Sequence, residues 1–266
     1  MSLTRTLSIG PVVLTFNFSD PAWDTLIQDN YNSFLSNAQT GITITLISQR
    51  AVTTNALKVT VKNNIIDIRR EDFHSRSNAR CTHTELTIVY DKYSLNSWLR
   101  IFLSVVGIDR NMLLIHGAGY HYRNETYLFP GRSGAGKSTI TRLLGKKDAL
   151  SDELTLLHLD ETGIIAYSTP FWGELQQGGK YTLSGKLKGI FTLRHGKTLS
   201  VIPSDFVSIL RALLITTLFF AETPSFMKRL LRVSETIARS VDGFEMTFPK
   251  NASRINLLKS MHEALA

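Results

Sequence analysis

Residues 127–144 read YLFPGRSGAGKSTITRLL. The apolar run Tyr127–Phe129 has strand character and the stretch from Ser138 onward has helical character. Between them Gly131–Ser138, GRSGAGKS, matches G-x-x-x-x-G-K-[ST], the pattern of a phosphate-binding loop in its required strand–loop–helix context. Glycines at 131, 134 and 136 let the backbone curl so that successive N–H groups point inward at phosphate oxygens, reinforced by the positive end of the following helix. Gly131, Ser133, Gly134, Ala135, Gly136, Lys137, Ser138 and Thr139 are therefore the expected nucleotide-binding residues. In such a loop Lys137 is expected to bridge the β- and γ-phosphates, the Ser138 hydroxyl to ligate Mg²⁺, and Thr139 to meet the α-phosphate.

Upstream, MLLIHGAGYHYRNETYLFP reads as two strands joined by a hairpin at Arg123–Asn124. Downstream come a strand ALSDELTLLHLD, a turn at residues 161–163, a strand GIIAYS, a Gly-rich loop and a strand LKGIFTLRHG. Ser204–Ala221 and Pro224–Ser240 are mostly helical, and Phe244–Phe248 is the last expected strand.

The N-terminal part is β-rich. Apolar and polar residues alternate over Leu7–Phe16 and Ile42–Ile47, and ALKVTVKNNIIDIRR predicts a hairpin turning at Asn63–Asn64. DPAWDTLIQDNYNSFLSN reads as a short helix or an irregular excursion with Asp20 as candidate cap, EDFHSRSNARCT as a loop, and Thr84–Tyr90 as a strand. Leu95, Trp98, Leu99, Phe102 and Val106 then recur at helical spacing, with Ser94 as the expected cap. The fold class is α/β: a β-rich accessory or recognition region over residues 1–92 and a loop-bearing domain over 93–266.

Asp152 and Glu153 lie fifteen and sixteen residues beyond Lys137, inside an apolar strand pattern where charges need a reason. With Ser138 they form a candidate Mg²⁺ site, and Asp152 is a candidate general base for an acceptor hydroxyl. His116, in LLIHGAG, can orient Asp152, and Glu174 is a third acid that can reach metal or acceptor. One of Arg132, Lys180, Lys186, Lys188 or Arg194 is expected to stabilise the transferring group.

A length of 266 residues with 43% apolar and 20% charged residues excludes disorder as the dominant state. The net charge of +8 favours anionic partners such as a nucleotide. Lys228, Arg229 and Arg232 read as one solvated helix face without aromatic interleaving, so no nucleic-acid partner is expected. A lone cysteine, Cys81, excludes an intramolecular disulfide framework and a thiolate-rich zinc site, and fits a cytoplasmic setting. The N-terminus does not read as a leader, and the apolar run Ala212–Ala221 is about half the length a bilayer requires, so no membrane association is expected.

Taken together, IHGAG, YLFPGRSGAGKSTITRLL, LSDELTLL, YSTPFWGE and LKGIFTL resemble the HPr kinase/phosphorylase family, and more closely its shorter HPr-kinase-related members, over about Ser94–Phe248. Those proteins are related to the ATP-type phosphoenolpyruvate carboxykinases and share a twisted mixed sheet. The resemblance implies a kinase using ATP and Mg²⁺, with His116 paired to Asp152, Asp152 as the base that deprotonates an acceptor serine, and Lys137 on the phosphates. It implies a hydroxyl-bearing acceptor in a peptide, a protein or a small molecule, and it admits a homo-oligomer because the relatives commonly assemble. The family's usual acid pair is Asp-Asp, whereas this chain has Asp152-Glu153. The segment linked to the reverse phosphorolysis has no counterpart, so that activity and HPr itself as substrate are not expected. A nucleotide-gated binding protein that holds ATP without transferring phosphate is the alternative.

Overall fold

Asn63 and Asn64 both adopt left-handed backbone angles, φ +52° and +58°, and so do Arg123 and Asn124 at +50° and +68°. Two consecutive residues of this kind make the tight turn whose twist matches a β-hairpin. Both expected hairpins form, pairing Lys62 with Ile65 and Tyr122 with Glu125. The computed structural model describes residues 2–39, 41–49, 56–78, 80–175, 182–221 and 223–266. Its described residues form two mixed sheets and six α-helices, an α/β arrangement. They divide into one unit within residues 2–106 and 219–227 and another within residues 107–175, 182–218 and 228–266.

The first unit contains β1 (Leu3–Ile9), β2 (Val12–Phe18), α1 (Ala22–Tyr31), β3 (Ile42–Gln49), β4 (Lys58–Lys62), β5 (Ile65–Arg70), β6 (Phe73–Asn78), β7 (His83–Val89) and α2 (Lys92–Asp109) as far as Val106. Its sheet order is β1-β2-β3-β7-β6-β5-β4, with β2–β3 and β3–β7 parallel. The alternating stretch from Leu7 to Phe16 is two strands rather than one, folded back where Gly10 takes φ +56°. The expected loop over residues 71–82 holds β6, because Phe73, Ser75 and Ser77 alternate inward. Two of those inward residues are polar, which disguises the period, but each is satisfied. Trp98 Nε1 donates to Ser75 Oγ at 2.9 Å, and Ser77 and Thr84 share a buried hydroxyl bond of 2.8 Å. α2 is capped by Asp91 rather than Ser94: Asp91 Oδ2 accepts the Ser94 N–H at 2.9 Å, the usual bond to the third residue of a helix.

The second unit adds β8 (Met112–Tyr122), β9 (Glu125–Pro130), α3 (Lys137–Leu144), β10 (Ala149–Ser151), β11 (Leu154–Asp160), β12 (Gly163–Tyr167), β13 (Ser184–His195), β14 (Ser200–Pro203), α4 (Phe206–Thr216), α5 (Pro224–Ser240) from Lys228, β15 (Asp242–Phe248) and α6 (Arg254–Ala264). Strand pairing runs in a closed circuit, β8–β11–β12–β13–β9–β8, with β15 and β14 continuing from the C-terminal half of β13. β9, β13 and β15 are parallel to one another. One side of this sheet buries Phe129, Phe191, Phe244, Met246 and Phe248 with α3 and α6 residues Ile140, Leu144, Leu257 and Met261. The opposite side takes α4 so closely that a Cβ on Gly243 would stand 2.1 Å from Ile209 Cγ1. α6 lies beyond the last expected element; the Ser253 hydroxyl accepts the Asn256 N–H and starts it. No helix among the described residues is long and apolar enough to cross a membrane.

The end of α3 is fixed by a buried phenol. Tyr120, 1% exposed, donates its O–H to the Leu144 carbonyl at 2.6 Å and accepts from Arg254 Nη2 at 2.9 Å, while Arg254 also reaches Asp148 at 3.0 Å. Burial pushes the phenol up to about 12. Tyr120→Phe takes the donor from the buried Leu144 carbonyl while Arg254 keeps Asp148, so we expect a loss of about 1–3 kcal/mol. The urea midpoint should fall without a change in slope; an unmoved midpoint contradicts this role.

Candidate functional site

Three parallel strands end on the same side of the second sheet. The glycine loop follows β9 at Pro130, His195 closes β13, and Lys250 comes two residues after Phe248 of β15. The carboxyl ends of parallel strands are where α/β sheets ordinarily receive ligands. Local sterics make the loop: a Cβ on Gly131 would meet Ala135 Cβ at 2.6 Å, and the Ala135 N–H closes on the Arg132 carbonyl at 3.1 Å. Gly134 and Gly136 take φ +81° and +99°, which only glycine adopts without strain. α3 begins directly after Gly136 and no side chain caps it, so its first turn presents backbone N–H groups to an anion.

β8 ties the loop to the acids. The His116 carbonyl accepts the Gly131 N–H at 3.1 Å, and the next N–H, of Gly117, donates to the Glu153 carbonyl at 2.9 Å. The expected continuous strand over 149–160 is interrupted at the acid pair: β10 ends at Ser151 and β11 starts at Leu154. Ser151 Oγ stabilises this break by accepting the N–H groups of Glu153 and Leu154, both at 3.0 Å, and donating to the Phe171 carbonyl at 2.6 Å. The bend aims Asp152 and Glu153 together at the loop, which two successive residues of a regular strand cannot do.

Asp152 is 2% exposed, yet its carboxylate is well partnered. Oδ1 accepts the Gly173 N–H at 2.8 Å; Oδ2 accepts the Leu175 N–H at 3.1 Å and the Ser138 hydroxyl at 3.4 Å. Lys137 is 7% exposed and its Nζ donates to the Gly131 and Arg132 carbonyls at 2.9 and 3.0 Å. Burial holds the lysine below its ordinary value, and the charges of Glu153, Asp152 and Glu174 oppose that shift.

The sign of the consequence is fixed by linkage. Between the lowered value and the ordinary 10.5, the unfolded chain binds more protons at this position than the folded one, so its contribution makes stability rise with pH. Lys137→Met removes that contribution. The nucleotide-free variant should gain most over the parent near neutral pH, and the difference in melting temperature should narrow as pH rises toward 10.5. A constant or widening difference rules the desolvated ammonium out as its source.

These groups open on a cavity of about 590 Å³. Of the expected residues, His116, Ser133, Gly134, Gly136, Lys137, Ser138, Thr139, Asp152, Glu153 and Glu174 line it. Gly131 and Ala135 instead close the turn behind it. Among the candidate cations, Arg132, Lys186, Lys188 and Arg194 do not line the cavity. Lys188 lies 3.9 Å from Glu125, Arg194 is paired with Glu245, and Lys180 lies outside the described residues. The cavity is lined instead by His195 and Lys250, together with Gly173. Their approach depends on the parallel pairing of β13 with β15, which no local pattern announces.

Among the described residues no group of three His, Cys, Asp or Glu forms a ready metal cage. Mg²⁺ does not need one: it keeps several waters and takes one or two carboxylates plus phosphate oxygens. A hydroxyl at Ser138 beside the Asp152 carboxylate, with Glu153 on the same cavity, is a donor set that suits this ion. No protein-family model and no curated protein matches this chain.

Proposed function

We propose that this chain is an ATP-dependent kinase of the HPr-kinase-related type, a cytoplasmic P-loop enzyme that transfers the γ-phosphoryl group to a hydroxyl of a peptide, a protein or a small molecule. One observation carries the reading: the buried Asp152 carboxylate stands 3.4 Å from the hydroxyl of Ser138, inside the cavity that the glycine loop lines. A phosphate loop alone binds; a fixed carboxylate beside it provides for a proton.

In this mechanism the loop amides and the N-terminus of α3 hold the phosphate tail. Lys137 exchanges the Gly131 and Arg132 carbonyls for β- and γ-phosphate oxygens, and Ser138, Asp152 and Glu153 would hold Mg²⁺, which when bound would supply neutralisation of charge on the phosphates. The acceptor oxygen attacks phosphorus in line as its proton passes to Asp152, and the bond from phosphorus to the bridging oxygen breaks to release ADP. His116 orients Asp152, and the Gly173 and Leu175 amides keep the carboxylate from turning away. The loose transition state asks mainly for this positioning and charge neutralisation.

The test is incubation with γ-labelled ATP and a lysate or peptide pool, with Lys137→Ala as control. Label should pass to an acceptor with the parent chain and not with the variant. Label recovered only as free phosphate, or no ATP binding at all, contradicts the proposal.

A further inference from the structure

The imidazole of His195 meets the phosphate loop from the far end of β13. Its Nε2 is 3.3 Å from the Gly134 carbonyl, and its Cε1 lies 3.1 Å from where a Cβ of Gly136 would stand. Those glycines are the two residues at which the loop turns left-handed. A carbonyl can only accept, so this contact requires a proton on Nε2. The ring is itself held. It lies 6.2 Å from the Phe248 ring, and the Gly196 N–H donates to the Phe248 carbonyl at 3.3 Å. A Cβ on Gly196 would come within 2.2 Å of Thr247 Cγ2, so only glycine lets the end of β13 lie this close to β15.

From this geometry we infer that His195 is a positioning residue that buttresses the phosphate loop, fixing the Gly134 peptide so that the loop keeps its anion-binding curl before any nucleotide arrives. The contact lies outside the loop motif, comes from a residue 61 positions later in the chain, and orders a segment rich in glycine. Glycine loses more freedom on ordering than any other residue, so one external hydrogen bond shifts the balance between curled and open loop. The value of the buttress for nucleotide binding rests on the proposed function; its effect on the empty loop does not.

The experiment therefore has two arms, using the full chain as His195→Ala, His195→Gln and His195→Arg. Because His195 is exposed, these variants should fold and melt like the parent. In the first arm, amide hydrogen exchange over residues 131–136 is followed without nucleotide. Exchange should speed up roughly two- to tenfold in His195→Ala, the worth of one hydrogen bond, and return toward the parent rate in His195→Gln, whose side-chain amide supplies a comparable donor. In the second arm, Mg-ATP affinity by calorimetry should weaken by a similar factor in the alanine form and recover in the glutamine form.

Unchanged loop exchange in His195→Ala overturns the inference. So does a loss of affinity restored by arginine but not by glutamine, which assigns His195 to direct contact with phosphate charge. If no form binds Mg-ATP, the proposed function fails, while the exchange arm still decides whether His195 holds the loop.

Discussion

Asp152→Asn should still bind the nucleotide and transfer phosphate about 10² to 10⁴ times more slowly, the usual cost of a lost general base. The substitution keeps size and shape, but the structure attaches a second cost to it. The carboxylate accepts from the Gly173 and Leu175 N–H groups on different oxygens, so an amide must turn its NH₂ toward one of them. One backbone donor then faces another donor in a site that is 2% exposed. A stability loss of about 1–3 kcal/mol accompanies the slower turnover. Calorimetry, melting and single-turnover phosphoryl transfer on the same preparation separate the two effects. Parental transfer rates remove Asp152 from the role of base.

Lys137→Ala should weaken Mg-ATP binding by about 10²-fold. Charge-assisted hydrogen bonds are worth about 1.5–3 kcal/mol each, and two to the phosphates would give more than this. The lysine, however, already donates to the Gly131 and Arg132 carbonyls and must release them, so only the difference appears in affinity. The variant should stay folded, since those carbonyls belong to residues partly or fully open to water. Binding of Mg-ATP at parental strength removes the loop from the nucleotide site.

Much of this arrangement was legible in the sequence where neighbours along the chain determine it. The loop between Gly131 and Ser138 and the paired turns at Asn63–Asn64 and Arg123–Asn124 depend on backbone angles that a few residues dictate. Elements became obscure where tertiary partners supply the reason. β6 was hidden because Ser75 and Ser77 occupy inward positions that Trp98 and Thr84 satisfy from elsewhere. The acids at 152 and 153 read as intruders in a strand, and only the Ser151 hydroxyl bonds reveal a bend built for them. His195 carried no local mark, because its place at the loop follows from the register that sets it opposite Phe248.

The five strands that pair in a circuit, β8, β11, β12, β13 and β9, each have a companion on either flank. Their backbone bonding is thus satisfied largely within the ring, and the segments that decide what enters the cavity hang from strand ends. Such a frame lets the segments at its mouth change in length or residue type without breaking the pairing of the strands beneath them.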